Sequence, residues 1–272
     1  MKLYLMTDLE GVAGVMNFED WCTPGTRYYE LAKEFLTLEV NAAVAGFFEG
    51  GATEITVADG HGPGAISPKL LDRRVELMRG WPTGWPALLN DSYDAVAWVG
   101  QHAKAGTEYA HLAHTQSFNY VDLSVNGLSI GEFGQFAMCA GELGVRAIFG
   151  AGDEAFTREA VALVPGIETV SVKRGTTPGK GDEMTTDQYR RRNTGAIHLH
   201  PETACERIRE GAMRAIQRAR KEDFGQIELT PPFERICRFR STADQPRTIA
   251  RESHPSSFIA LMNMPYEREP EM

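Results

Sequence analysis

Three short apolar segments near the start of this 272-residue chain constrain its fold most. Each has the length and composition of a buried strand, and each is followed by side chains that can bind a metal ion. The segments are residues 3–6, followed by Asp8 and Glu10, residues 54–58, followed by Asp59 and His61, and residues 93–100, followed by His102. Helix-sized connections separate them, so a parallel sheet would bring all these side chains to one edge.

The rest of the chain extends this alternation of strands and helices. Residues 27–50, 154–163 and 201–221 have the apolar spacing of helices, and residues 145–150 and 167–173 are typical of strands. We therefore predict an α/β fold, a three-layer α/β/α arrangement with a mainly parallel sheet, plus a smaller α+β C-terminal lobe. Residues 1–165 would form the metal-binding catalytic region and residues 166–272 the lobe, either separate or packed into the same unit.

Two later segments carry weaker signals. Residues 118–130 are typical of a hairpin that turns at Asn126-Gly127, and a helix is expected to begin at Glu132. A carboxylate in the first turn of a helix also suits the helix dipole, so a structural role for Glu132 stays open. Residues 174–199 are predicted to be a polar loop, and the tail from residue 241 is predicted to be irregular except at residues 258–262.

Charge and cysteine usage exclude several function classes. The net charge is −9 and the isoelectric point is near 5.4, which argues against binding to nucleic acids or to anionic membranes. The four cysteines are scattered without a C-x-x-C pair, a pattern that favours free thiols in a reducing compartment. With no predicted signal peptide or membrane-spanning run, we expect a cytoplasmic protein.

The candidate ligands share nitrogen and oxygen donors and include no thiolate. They are Asp8, Glu10, His61, His102 and Glu132. Such a set suits zinc or manganese in a hydrolytic site better than a structural zinc. If one carboxylate bridges two ions and a hydroxide is shared, a dinuclear centre is satisfied. Each residue taken alone could equally be an ordinary loop carboxylate or a structural histidine.

Several neighbouring residues leave two interpretations open. His114 could move a proton during a reaction or simply bond to the backbone, whereas His111 is predicted to be solvated. Asp59 could orient His61 or stabilise a turn. Trp81 and Trp85 could wall a pocket or pack on the core, in a Trp-Pro loop that includes Pro82.

Six short motifs occur in a fixed order between residue 7 and residue 153. They are D-L-E-G, D-G-H, G-Q-H-A, A-H-T, V-N-G-x-x-I-G-E and A-G-D. This ordered set resembles the D-aminopeptidases of peptidase family M55, over residues 1 to about 175 and more weakly to about Pro232. Gln101 departs from the pattern, because family members usually have a tyrosine before this histidine.

The resemblance implies a metallopeptidase with two zinc ions per subunit, manganese or cobalt being the other candidate metals. It implies removal of N-terminal D-amino acids such as D-Ala from short peptides. Asp8, Glu10, His61, His102 and Glu132 would be the zinc ligands, with Asp8 as the bridge, and His114 the catalytic histidine. It further implies a homo-oligomer, specifically a decamer.

Two other functions remain open from the sequence. The same ligands could serve another dinuclear hydrolase, such as a phosphoesterase, although phosphoryl transfer usually recruits Arg or Lys and only Lys104 stands close to a ligand in the sequence. The chain could also be a non-catalytic, oligomeric peptide-binding protein that holds metal for stability.

Overall fold

A computed structural model describes residues 1–81 and 84–271 of the chain. The strands within those residues are β1 (Lys2–Thr7), β2 (Glu54–Asp59), β3 (Glu76–Met78), β4 (Ala95–Gln101), β5 (Tyr120–Val125), β6 (Leu128–Ser129), β7 (Arg146–Asp153), β8 (Glu168–Gly175), β9 (Ala196–His198), β10 (Phe233–Phe239), β11 (Thr248–His254) and β12 (Arg268–Pro270). The helices are α1 (Phe18–Trp21), α2 (Tyr29–Gly50), α3 (Glu132–Glu142), α4 (Glu154–Leu163), α5 (Thr186–Arg190), α6 (Pro201–Ala219) and α7 (Phe258–Met262).

Seven strands form the larger sheet, in the order β3-β2-β1-β4-β7-β8-β9. All neighbours in this sheet are parallel except β9, which runs antiparallel to β8. The strands β2, β1 and β4 are therefore adjacent and end at the same edge. These are the three strands whose following residues the sequence marks as metal-capable.

Helices cover both faces of this sheet, which confirms the predicted three-layer α/β/α fold. On one face, α2 and α6 pack together and bury residues such as Val44, Phe47 and Ile216. On the other face, Phe133 of α3 and Phe156 of α4 contribute to a second core. A Cβ on Gly46 of α2 would lie 2.1 Å from the Arg209 carbonyl oxygen, so glycine is required for this close approach of α2 and α6.

The smaller sheet is antiparallel, in the order β12-β11-β10-β5-β6. The predicted hairpin is present as β5 and β6, with Asn126 and Gly127 both at positive φ in the turn. The expectation of an irregular tail is wrong for β11 and β12. In β11 the strand pattern is hidden because Glu252, which pairs with Arg235 of β10 at 2.9 Å, occupies a buried position where an apolar residue would be expected.

Segments from both sides of residue 165 contribute to each sheet. The hairpin β5–β6 pairs with β10, and β8 and β9 complete the larger sheet. The division at residue 165 stays a prediction.

The predicted polar loop at 174–199 is wrong where α5 and β9 interrupt it. None of the helices in the described part of the chain is both long enough and apolar enough to cross a bilayer.

Candidate metal centre

The metal-capable side chains meet at the carboxyl edge of the larger sheet. Asp8 directly follows β1, His61 lies two residues beyond β2, and His102 directly follows β4. The loop after β1 crosses closely over the end of β4, since a Cβ on Gly11 would lie 2.1 Å from the Gln101 carbonyl oxygen. The parallel topology therefore produces the convergence that the sequence predicts.

Asp8 lies between two histidines. Its Oδ1 is 3.3 Å from His61 Nδ1, and its Oδ2 is 3.1 Å from His102 Nε2. On the His61 side, Glu10 Oε2 is 3.1 Å from the same His61 nitrogen. Asp8, Glu10 and His61 are all buried and bring their ligand atoms within 4.8 Å of one another, a spacing that could hold one cation.

A second group forms on the other side of Asp8. Glu132, the first residue of α3, has Oε2 3.6 Å from His102 Nε2 and Oε1 3.8 Å from His114 Nε2. The rings of His102 and His114 stack with centroids 4.0 Å apart. His102, His114 and Glu132 also place their ligand atoms within 4.8 Å of one another. All six candidate site residues are thus brought together.

The backbone fixes which imidazole nitrogens face the carboxylates. His61 Nε2, His102 Nδ1 and His114 Nδ1 each lie 2.9 Å from a carbonyl oxygen, those of Cys22, Ala103 and Leu112 respectively. Protons on those three nitrogens leave the opposite nitrogen of each ring as an acceptor. The three acceptors point toward carboxylate oxygens, an arrangement that a bound cation would satisfy.

Two buried atoms support the same conclusion. Glu10 Oε2 and His102 Nε2 have no hydrogen-bond partner among the described residues, although each lies within 3.1 Å of a ligand-type atom. A buried polar atom without a hydrogen-bond partner destabilises the fold, so such atoms usually mark the position of a bound ion or water. One group offers two carboxylates and one imidazole, and the other offers one carboxylate and two imidazoles. Both sets of donors fit zinc.

The pKa values of these groups show how strongly the site attracts positive charge. Burial raises the pKa of Asp8, but the His102 and His61 imidazoles outweigh it and hold that pKa well below its usual range. Burial likewise opposes protonation of His61, yet Glu10 and Asp8 raise its pKa to about 11. Without a metal ion, protons on the imidazoles would balance the carboxylates.

The loop that carries Glu10 is held by three buried titratable side chains and by the half-buried His198. Lys173 Nζ donates to the carbonyl oxygens of Glu10 at 2.5 Å and Val15 at 3.3 Å. The Ala13 amide donates to Glu39 Oε1 at 2.9 Å, and the Gly14 amide donates to His198 Nδ1 at 3.1 Å. His111 Nε2 lies 3.0 Å from the Met16 carbonyl oxygen. We call residues 10–16 the Glu10 loop.

Some of these contacts differ from the sequence predictions. The prediction that His111 is solvated is wrong, because its side chain is fully buried against the Glu10 loop. Lys173 and Glu39 were missed, although Lys173 stands near the carboxyl end of a parallel strand, which is a usable signal. Asp59 accepts hydrogen bonds from the Ala65 and Ile66 amides, which is the turn role and not the orientation of His61.

A cavity of about 550 Å³ opens beside the two groups of ligands. Asp8, Glu10, His61, His114 and Glu132 lie in its wall. Its apolar lining includes Phe18, Trp81, Trp85, Trp98, Phe118 and Phe136. Trp81 and Trp85 therefore both wall the cavity, and Trp85 also packs on the core, so both predicted roles occur. Pro82 of the predicted loop lies outside the described residues. Gln101 also lines the cavity, with Nε2 3.4 Å from Asp8 Oδ2.

Comparisons with known proteins bear on the family and the fold of the chain. The chain is 30% identical to a D-aminopeptidase of Bacillus subtilis (strain 168) over 177 residues, which cover 64% of this chain and 64% of the relative. The match thus spans less than two thirds of that relative. A solved structure, described as the Zn-dependent D-aminopeptidase DppA from Bacillus subtilis, a self-compartmentalizing protease, shares the fold with a TM-score of 0.80. That similarity covers 96% of this chain and 94% of the solved chain at 22% sequence identity.

The family comparison covers most of the chain. The model of the peptidase M55 family, described as D-aminopeptidase, matches residues 1–249 and therefore includes both sheets apart from β12 and most of β11. This chain belongs to peptidase family M55.

Proposed function

We propose that this protein is a metal-dependent aminopeptidase that removes N-terminal D-amino acids, such as D-Ala, from short peptides. The observation that carries the proposal is the position of Asp8, whose two carboxylate oxygens face His61 and His102 on opposite sides. A carboxylate in that position can be shared by two cations. Membership of the M55 family supports the peptidase activity.

We assign the five ligands to two zinc ions per subunit, with manganese or cobalt as alternatives. Glu10 and His61 would hold one ion and His102 and Glu132 the other, and Asp8, which lies beside both histidines, would bridge them. When bound, the ions lower the pKa of water and polarise a carbonyl group. The three carboxylates and the burial of the site favour tight retention of divalent cations.

His114 is proposed as the residue that moves a proton. Its Nδ1–H donates to the Leu112 carbonyl oxygen, which leaves Nε2 free toward Glu132 and the cavity. Burial, together with the nearby His102, lowers the pKa of His114, so the ring is neutral near neutral pH. Nε2 can therefore accept a proton from the attacking water and pass it to the leaving amine.

The composition of the cavity favours a peptide over a phosphate ester. Among the described residues that line it, none is lysine or arginine. Lys104, the cation nearest to a ligand in the sequence, is not part of this lining. Phosphoryl transfer usually requires such cations around the transferred group, whereas an amide carbonyl does not.

The test is turnover of defined substrates by the zinc-loaded protein. We expect release of D-Ala from D-Ala amide and from D-Ala-D-Ala, loss of activity with a chelator, and recovery on adding zinc. The matched L-compounds measure stereoselectivity, and p-nitrophenyl phosphate measures phosphatase activity. Inertness toward every D-substrate would contradict the proposal, and phosphatase activity in its place would favour the phosphoesterase.

We also propose that the chain is cytoplasmic and forms a homo-oligomer, specifically a decamer. The description of the similar solved structure as self-compartmentalizing supports an assembly. The cysteines Cys22, Cys139, Cys205 and Cys237 are all free, which fits a reducing compartment. Native mass spectrometry of the purified protein tests the assembly, and a monomer at working concentration would contradict it.

A further inference from the structure

The apolar lining of the cavity is divided into two aromatic surfaces. The first, which we call the tryptophan wall, comprises Trp81, Trp85 and Phe136, with ring centroids 6.5 Å apart for Trp81–Trp85 and 6.3 Å apart for Trp85–Phe136. The second, the phenylalanine wall, comprises Phe18 and Phe118, whose rings meet edge to face at 5.2 Å. Both walls face the cavity that contains the metal-capable residues.

The position of His114 distinguishes the two walls. The ring of Phe118 lies 4.7 Å from that of His114, so the phenylalanine wall adjoins the residue that would protonate the leaving amine. This step rests on the proposed function. If the phenylalanine wall faces the leaving amine, the tryptophan wall faces the residue that supplies the carbonyl. For an aminopeptidase this is the N-terminal residue.

Trp85 and Phe136 of the tryptophan wall are fixed by neighbouring residues, whereas Trp81 is exposed at the rim of the cavity. The Trp85 amide donates to Asn263 Oδ1 at 3.0 Å, and Asn263 Nδ2 donates back to the Trp85 carbonyl oxygen at 3.0 Å. Phe136 is buried and also packs against Trp98, with centroids 6.1 Å apart. Trp81, in contrast, is 40% exposed at the rim. A large apolar surface is therefore held in place and left in contact with solvent.

A methyl group would cover little of this surface. Burial of apolar area favours binding roughly in proportion to the area removed from water, and aromatic rings add favourable edge or stacked contacts. The cavity of about 550 Å³, which both walls share, falls within the range that encloses ligands bulkier than a dipeptide of alanine. We infer that the preferred N-terminal residue is a D-amino acid with a large apolar side chain, such as D-Phe, which packs on the tryptophan wall.

The experiment compares D-Phe amide with D-Ala amide on the zinc-loaded, full-length protein. We expect kcat/KM to be about 10-fold or more higher for D-Phe amide, the range that hydrophobic pockets reach. Trp81→Ala should lower this ratio at least about fivefold, since Trp81 supplies the rim of the wall. Asn263→Ala, which removes both hydrogen bonds to Trp85, should lower it in the same direction without altering an aromatic residue.

Phe118→Ala is the matched control on the opposite wall. It should leave the D-Phe to D-Ala amide ratio unchanged and instead lower kcat/KM for D-Ala-D-Phe more than for D-Ala-D-Ala, since Phe118 adjoins the side of the leaving amine. Equal or faster turnover of D-Ala amide by the wild type would overturn the inference. A ratio that responds to Phe118→Ala and not to Trp81→Ala would overturn the assignment of the walls.

A failure of the proposed function is separable from a failure of this inference. If no D-amide is hydrolysed, the peptidase proposal fails, and calorimetric titration with the two amides still measures the preference of the cavity. Tighter binding of D-Phe amide that is lost in Trp81→Ala supports the inference. Equal binding of the two amides refutes it.

Discussion

Lys173 Nζ donates a hydrogen bond of 2.5 Å to the backbone carbonyl oxygen of Glu10. The contact joins the end of β8 to the Glu10 loop, which presents a proposed metal ligand. Lys173 is buried, and the same ammonium group reaches the Val15 carbonyl oxygen. One side chain thus holds both ends of the loop.

Replacement of Lys173 by methionine should weaken zinc binding more than it weakens the fold. Methionine fills similar apolar space and removes a buried charge, but it removes the two hydrogen bonds that Lys173 donates to the Glu10 loop. Changes to groups that orient metal ligands typically reduce metal affinity about 10- to 100-fold. Competition with a chromophoric chelator measures the zinc affinity, and circular dichroism checks folding.

Lys180→Met is the control for this prediction. Lys180 is exposed and precedes α5, so its replacement changes the net charge equally without contact to the loop. The expected loss of zinc affinity is about tenfold or larger. If Lys173→Met binds zinc within about twofold of the control, the Lys173 contact does not position Glu10.

Replacement of His114 by glutamine separates a proton-transfer role from a ligand role. If His114 only moves a proton, the variant should keep two zinc ions per subunit while kcat falls by roughly 10²- to 10⁴-fold. Elemental analysis gives the zinc content, and turnover of D-Ala amide gives kcat. Loss of one zinc ion would instead make His114 a metal ligand, a role that its 3.8 Å distance to Glu132 Oε1 permits.

Replacement of Glu39 by glutamine should change how stability depends on pH. Burial raises the pKa of Glu39 to about 8, against the lowering effects of the Ala13 amide and Lys173. The folded protein therefore binds more protons than the unfolded chain between about pH 4.3 and pH 8, and stability falls as pH rises through that window. Glutamine can still accept the Ala13 hydrogen bond, so the variant should be roughly 1 to 3 kcal/mol more stable near pH 7.

Denaturant unfolding at several pH values between about 5 and 8 tests this expectation. Glu34→Gln serves as the control, because Glu34 lies on the exposed side of the same helix. The wild type and the control should lose stability with rising pH more steeply than Glu39→Gln. Identical pH slopes for all three proteins would mean that Glu39 is not protonated in the folded state.

The sequence predicted the convergence of the site because its signals are local. Asp8, His61 and His102 each follow an apolar strand, and parallel topology alone brings such positions to one edge. The position of Glu132 was predicted because a helix was expected to begin at this residue, as α3 does. No long-range information was needed for these residues beyond the rule that strands joined by long connections pair in parallel and end at one edge.

The residues that support the site could not be predicted in the same way. His111 and Glu39 resemble polar surface residues in the sequence, and they become buried only when the Glu10 loop folds over them. The strand β11 was missed for a related reason, because the partner of Glu252 lies on β10 and the pair is apparent only once the sheet has formed. Such contacts depend on tertiary closure.

The central claim is that Asp8 is shared by two metal ions, and anomalous diffraction at the zinc absorption edge tests it most directly. A crystal of the zinc-loaded protein should show two peaks per subunit, one beside Glu10 and His61 and one beside His102 and Glu132, with Asp8 between them. A single peak, or peaks that leave Asp8 without a metal contact, would contradict the account.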